Sequence, residues 1–170
     1  MSQSTDDVRA QIASDLDRWR AAFARLVEGI ETDAWEASSG NAGWNVRQVV
    51  GHLAAQPDAS VRLVGVARNG QTMLKGVPHR ILDLVSLWLV RATTRGLTPD
   101  GALARYEAGH RRLVALLADV GDDEFGTTGV AFGQELTVAA AFRELGHQVD
   151  AHTAEIQVGL DRRKRSASAS

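Results

Sequence analysis

The 170-residue sequence predicts an all-α protein, a four-helix bundle with a long crossover, holding a short extra helix, between the second and third helices. Three observations predict it. Apolar residues recur at steps of three and four along four long segments, the signature of amphipathic helices with a narrow buried seam. No segment alternates cleanly between apolar and polar residues, and no Asn-Gly or Asp-Gly joins two β-rich runs. A chain of this length with 44% hydrophobic residues builds one core, not two domains.

The first helix runs from about Thr5 to Glu28, with Val8, Ile12, Leu16, Trp19, Phe23 and Leu26 on one stripe; Thr5 or Asp6 caps it and Gly29 ends it. A loop rich in Ser, Gly and Asn follows from Thr32 to Gly43 and carries Trp35. The second helix starts at the N-cap Asn45 and holds Val46, Val49, Val50, Leu53, Val61 and Val64, with a possible kink at Pro57. The link over residues 66–97 contains a shorter helix, roughly His79 to Thr94, and is long enough to cross the bundle. Thr98-Pro99-Asp100 opens the third long helix as a cap followed by proline at the first helical position. Its seam is Leu103, Tyr106, His110, Leu113, Leu117 and Val120, and Gly121 stops it. A loop to Glu135 leads to the fourth helix, near Thr137, with Val138, Phe142, Leu145, Val149, His152 and Ile156 inward. Residues 1–160 form the bundle, and the tail 161–170, with Arg162 to Arg165 and several serines, reads as a disordered, solvated end. With that crossover the second and third helices run parallel, and the fourth antiparallel to the second.

Composition narrows the function. The formal net charge is −2 and the pI about 6.2, which disfavours a dedicated nucleic-acid binder. The chain has no cysteine, so disulfides, thiolate metal sites and cysteine nucleophiles are excluded. No apolar run approaches the roughly 20 residues of a membrane span, and the polar, acidic start does not read as a secretory signal. The expectation is a cytoplasmic protein that handles a small molecule. No P-loop, strand-linked GxGxxG or nucleophile elbow is present.

The five histidines are His52, His79, His110, His147 and His152. At 100° per residue, His152 lies on the inward stripe of the fourth helix, Gln148 about 70° to one side, Glu144 about 110° away, and His147 about 170° away toward solvent. Gln148 and His152, four apart, share a face. His52 lies about seven residues into the second helix and His152 about eight from the end of the fourth, so antiparallel packing brings them to one depth. His110 lies on a seam, somewhat deeper, as a core or boundary histidine. Glu107 to His110 and Glu144 to His147 both match Glu-x-x-His of di-iron bundles, but the second helix supplies no glutamate and His147 faces away.

The run Gly43-Trp44-Asn45-Val46-Arg47-Gln48-Val49-Val50-Gly51-His52-Leu53-Ala54 resembles the second-helix signature of the DinB-like and mycothiol-dependent maleylpyruvate isomerase superfamily. Phe132-Gly133, Leu136 to Ala139, and His147 to Ile156 resemble its fourth-helix region. The resemblance implies a four-helix bundle with one divalent metal, zinc or nickel, held by a second-helix histidine and two fourth-helix ligands. Carried over, the ligands are His52, His152 and the residue four before it, which is Gln148 where a histidine is expected. On the isomerase pattern of Glu-x3-His, Glu144 again meets Gln148. A neutral amide oxygen is a weak ligand beside imidazole, so Glu144 or His110 are further candidates. Some members use low-molecular-weight thiols, and Arg47, Arg143 and Arg111 are candidates to bind a cosubstrate's carboxylates.

Two functions follow. One is a metal-dependent, thiol-using transferase, isomerase or hydrolase. The other is a non-catalytic bundle with a degenerate site that binds a small apolar ligand or serves as a dimer module. Leu87, Trp88 and Leu89 in succession favour a homodimer.

Overall fold

The computed structural model describes residues 5–74, 76 and 88–168. Its long helices are α1 (Thr5–Glu28), α2 (Val46–Ala54), α3 (Gln56–Arg68), α4 (Pro99–Asp119) and α5 (Val138–Ser168). The second helix of the sequence reading is thus two helices in series. Pro57 has no N–H to continue the ladder, so the chain turns at Ala55, which ends α2 and begins α3. Residues 88–93 are helical. The remainder of the short helix expected over His79 to Thr94 lies outside the described residues, as do His79 and Leu87.

Helix starts match their sequence signals. The Asn45 side-chain oxygen accepts from the Gln48 backbone N–H (2.9 Å), and the Gln48 side-chain oxygen accepts from the Asn45 backbone N–H (3.0 Å), a complete capping box. Thr98 accepts from the Gly101 amide, with Pro99 behind it.

Both α1 and the α2–α3 pair pack against α4 and α5, so they occupy opposite corners of the bundle. Partner residues set the directions. Arg20 meets Glu107, and Arg9 donates to the carbonyls of Leu117 and Val120, which makes α1 and α4 antiparallel. Asp58 pairs with Arg112 and Arg68 with Asp119, so α3 and α4 run parallel across the long link. His52 meets His152 while Leu63 shares a cleft with Glu144, so α2–α3 and α5 are antiparallel. The core contains Ile12, Leu16, Phe23, Val50, Leu53, Tyr106, Leu113, Phe142, Leu145 and Ile156, all nearly inaccessible. Phe23 stacks on Tyr106 at 4.3 Å between centroids.

Two expectations need correction. A three-stranded sheet, β1 (Thr72–Met73), β2 (Thr128–Ala131) and β3 (Gln134–Thr137), stands where the sequence reads as loop. β1 pairs parallel with β2, and β2 antiparallel with β3. The strands are too short to show a period, and the hairpin turn is Phe132-Gly133, both at positive φ, instead of Asn-Gly. Gly129 allows β2 to lie on α3, since a β-carbon there would strike the Val66 carbonyl. The tail is the second correction. Helix α5 continues through Asp161 to Ser168 because Arg163 pairs with Asp33 and Glu31 near the end of α1, and Ser168 bonds the Lys164 carbonyl. No described helix is long and apolar enough to cross a membrane.

Candidate functional site

The site forms where α2 faces the middle of α5. Its local frame begins with Trp44, which the capping box of Asn45 holds just ahead of α2. About two turns later α2 presents His52, and α5 presents His152. Their rings meet edge to face, with centroids 4.8 Å apart. Trp44 covers both, at 4.9 Å from His52 and 5.9 Å from His152. The break at Ala55 brings Gln56 back over His52, and its Nε2 lies 2.7 Å from His52 Nε2. Gln148 faces His52 closely enough to oppose the lowering of its pKa, and donates to Glu144 Oε1 at 3.0 Å. On the other side, Glu155 Oε2 lies 2.8 Å from His152 Nδ1 and accepts from the Asn41 amide at 3.3 Å.

The structure therefore brings together His52, His152 and Gln148, and joins Glu144 to them through Gln148. It does not bring His110 to them. His110 is buried on α4 facing α1, with its Nε2 3.5 Å from Asp17 and without a hydrogen-bond partner. The stacking of Phe23 on Tyr106, one turn earlier, commits that face of α4 to α1. His147 is exposed, as its place on the helical wheel requires. Arg47 pairs with Glu36 at 2.7 Å, and Arg143 is half-buried on α5. Gln56 and Glu155 are site residues that the sequence reading did not single out. Their i+4 and i+3 spacing from the two histidines was the available signal.

Do these residues suit a divalent metal? With metal–nitrogen bonds of about 2.1 Å and a tetrahedral angle, two imidazole centroids lie about 5 Å apart, close to the spacing found. A proton on His152 Nδ1, donated to Glu155, leaves Nε2 with a free lone pair, the carboxylate–histidine arrangement that orients metal ligands. Gln56 directs an amide N–H at the lone pair of His52, where a cation would find a donor. Among the described residues no three His, Asp or Glu side chains are grouped to hold a metal ion, so a third protein donor has to be an amide oxygen, that of Gln148. The donor set fits a two-histidine site of modest affinity, completed by Gln148 and solvent.

Burial, and then the neighbouring His152, lower the His52 pKa to about 4, against smaller opposing effects of Gln148 and Glu155. The imidazole is thus neutral at pH 7 and need not release a proton to accept a cation. Because the folded pKa lies below the ordinary 6.5, the unfolded chain binds more protons between the two values. Stability is full above that window and falls as pH drops through it. Urea unfolding of EDTA-treated protein should show a loss on the order of 2 kcal/mol between about pH 7.5 and about pH 4.5, after allowance for partial exposure of the ring. His52→Gln should flatten most of this slope. His110, whose pKa burial also lowers, keeps a remainder of the same sign. An unchanged slope in His52→Gln would show that another group drives acid destabilisation.

Comparison with known proteins gives the family and supports the fold. The sequence model described as the mycothiol maleylpyruvate isomerase N-terminal domain matches residues 16–157. No curated protein matches the sequence. Among solved structures, the mycothiol-dependent maleylpyruvate isomerase superposes with a TM-score of 0.69 at 14% identity, over 92% of this chain. The chain spans only 64% of that isomerase's length. YfiT from Bacillus subtilis, described as a probable metal-dependent hydrolase with an unusual four-helix bundle topology, gives 0.68 at 22% identity over 96% of this chain and 90% of its own. At these identities the two structures support the fold.

Proposed function

The chain belongs to the mycothiol maleylpyruvate isomerase N-terminal domain family, and from that premise we propose that its His52–His152 centre binds a divalent metal, zinc or nickel, and serves a thiol-dependent transfer or isomerisation. The observation that carries this reading is the meeting of two neutral-capable imidazoles from α2 and α5, one of them oriented by Glu155.

In this reading His52 and His152 hold the ion and the Gln148 oxygen completes the protein donors. When bound, the metal supplies Lewis acidity, which lowers the pKa of a water or thiol in its open position toward neutrality. Glu155 holds His152 in one tautomer, and Asn41 holds Glu155 in place. Gln56, whose amide N–H now occupies the His52 Nε2 lone pair, would yield that lone pair to the ion. Trp44 closes one side of both imidazoles and excludes water there. The thiol has to come from a low-molecular-weight cosubstrate, since the chain has no cysteine. Arg143, half-buried beside Glu144 in sequence, is the better placed cation for a cosubstrate carboxylate, because Arg47 is engaged by Glu36.

One observation favours the second reading, a bundle that binds a small apolar ligand without chemistry. Gln148 supplies a neutral amide at the position where the family resemblance calls for histidine. Metal content separates the two. After dialysis to equilibrium against buffer that contains trace zinc or nickel, mass spectrometry should find close to one ion per chain in excess of the dialysate in the wild type and almost none in His52→Ala or His152→Ala. Absence of metal from the wild type would favour the second reading.

A further inference from the structure

We propose that a cleft between α3, the β2–β3 hairpin and α5 binds a small hydrophobic amine, its ammonium on Glu144 and its hydrocarbon body against the tip of the hairpin. The cleft, about 190 Å³, is walled by Leu63 of α3, by Ala131, Phe132, Glu135 and Leu136 of the hairpin, and by Glu144 of α5. It is smaller than the roughly 300 Å³ of a drug-sized site, so its occupant is small. Leu63 and Ala131 are nearly buried and form an apolar floor.

Charge selects the occupant's polar end. Both ionisable side chains on the walls are carboxylates, and neither lysine nor arginine is among the described lining residues. An anion would meet uncompensated repulsion, whereas an ammonium finds acceptors. Glu144 receives one hydrogen bond, on Oε1 from Gln148, and a carboxylate has further lone pairs to offer an N–H donor.

Phe132 supplies a second argument. It is 47% exposed and sits at φ +53°, a backbone region that costs free energy for any residue but glycine and is least unfavourable for Asn. Its amide is fixed to the Met73 carbonyl at 3.1 Å, so the turn is held in this form. An aromatic ring at a strained, solvent-facing turn gains nothing from the core. Over a cleft it offers an apolar wall and a π face that attracts cations.

The proposal rests on the preceding reading in one respect, the identification of the histidine centre as the reacting one. Glu144 accepts from Gln148 and lies about two turns before His152 on the same helix, so the cleft opens along α5 from that centre.

The test is NMR titration of isotope-labelled full-length chain in EDTA, with phenethylamine as probe and 3-phenylpropionate as its anionic counterpart. The amine should give saturable shifts centred on residues 63, 131–136 and 144, and the anion none. Glu144→Gln, of equal shape, should weaken the amine about fivefold, the upper end of what a solvent-accessible ion pair contributes. Phe132→Asn should raise Tm by relieving the turn and yet weaken binding, which a purely structural Phe132 would not do. His52→Ala should leave amine binding unchanged, so a failure of the metal reading is separable from a failure here. The proposal is overturned if the anion binds as well as the amine, if the shifts centre elsewhere, or if both Glu144→Gln and Phe132→Asn bind as the wild type does.

Discussion

Replacing Gln148 by histidine should tighten zinc or nickel binding by about a hundredfold, equivalent to about 2.7 kcal/mol. Gln148 is one turn ahead of His152 on α5 and acts on the pKa of His52, so a side chain at this position faces the same centre. An imidazole nitrogen is a far better donor than an amide oxygen for these borderline metals, and a third imidazole completes the common three-ligand plan with an open position. Glu144, now the acceptor of the Gln148 amide, would then be free to accept from the added ring and orient it. Competition against a chromophoric chelator measures the change. Gln148→Leu, by the same reasoning, should weaken binding below the wild type, because it leaves two protein donors. A Gln148→His variant that folds normally and binds metal no better than the wild type would mean that position 148 is not directed at the ion.

How much of this was legible in the sequence depends on the range of the interactions that decide each feature. Helix starts are local, and Asn45 and Thr98 cap as their neighbours dictate. The pairing of His52 with His152 followed from a rise of 1.5 Å per residue and the direction that the long link implies, although the helix end used for the depth lay near 160 and α5 runs on to Ser168. His110 was different. Its place on a seam was readable, but which neighbour that seam meets is decided by the stacking of Phe23 on Tyr106, a contact between helices far apart in the chain. The sheet was missed for a related reason. Two-residue and four-residue strands have no period to read, and Gly129 looks like a strand breaker until α3 is packed against it. The helical tail was missed because its support, the ion pairs of Arg163 with Asp33 and Glu31, is tertiary.

Gly146→Val should destabilise the protein by about 3 kcal/mol, at the upper end of what overpacking a core usually costs. Glycine within a helix gives up about 1 kcal/mol against alanine, so its presence in the middle of α5 needs a packing reason. The reason is Trp19. A β-carbon at position 146 would fall inside the indole, in clash with Cζ2, Cε2 and Nε1 at once. Trp19 is 7% exposed and lies within the apolar core. Neither partner has open space to enter, so the strain is relieved only by separating α5 from α1. For a chain of this length 3 kcal/mol corresponds to a fall of about 8 °C in Tm, measurable by calorimetry or by a shifted urea midpoint. A second substitution, Trp19→Ala, should restore part of the loss in the Gly146→Val background although it is strongly destabilising alone, since the two positions share one volume. The effect reaches the site as well. Residue 146 is two positions from both Glu144 and Gln148, so a displaced α5 moves His152 relative to His52 and should weaken metal binding even where the variant remains folded. A Gly146→Val protein as stable as the wild type would show that α1 and α5 are not in the close contact on which the placement of His152 depends.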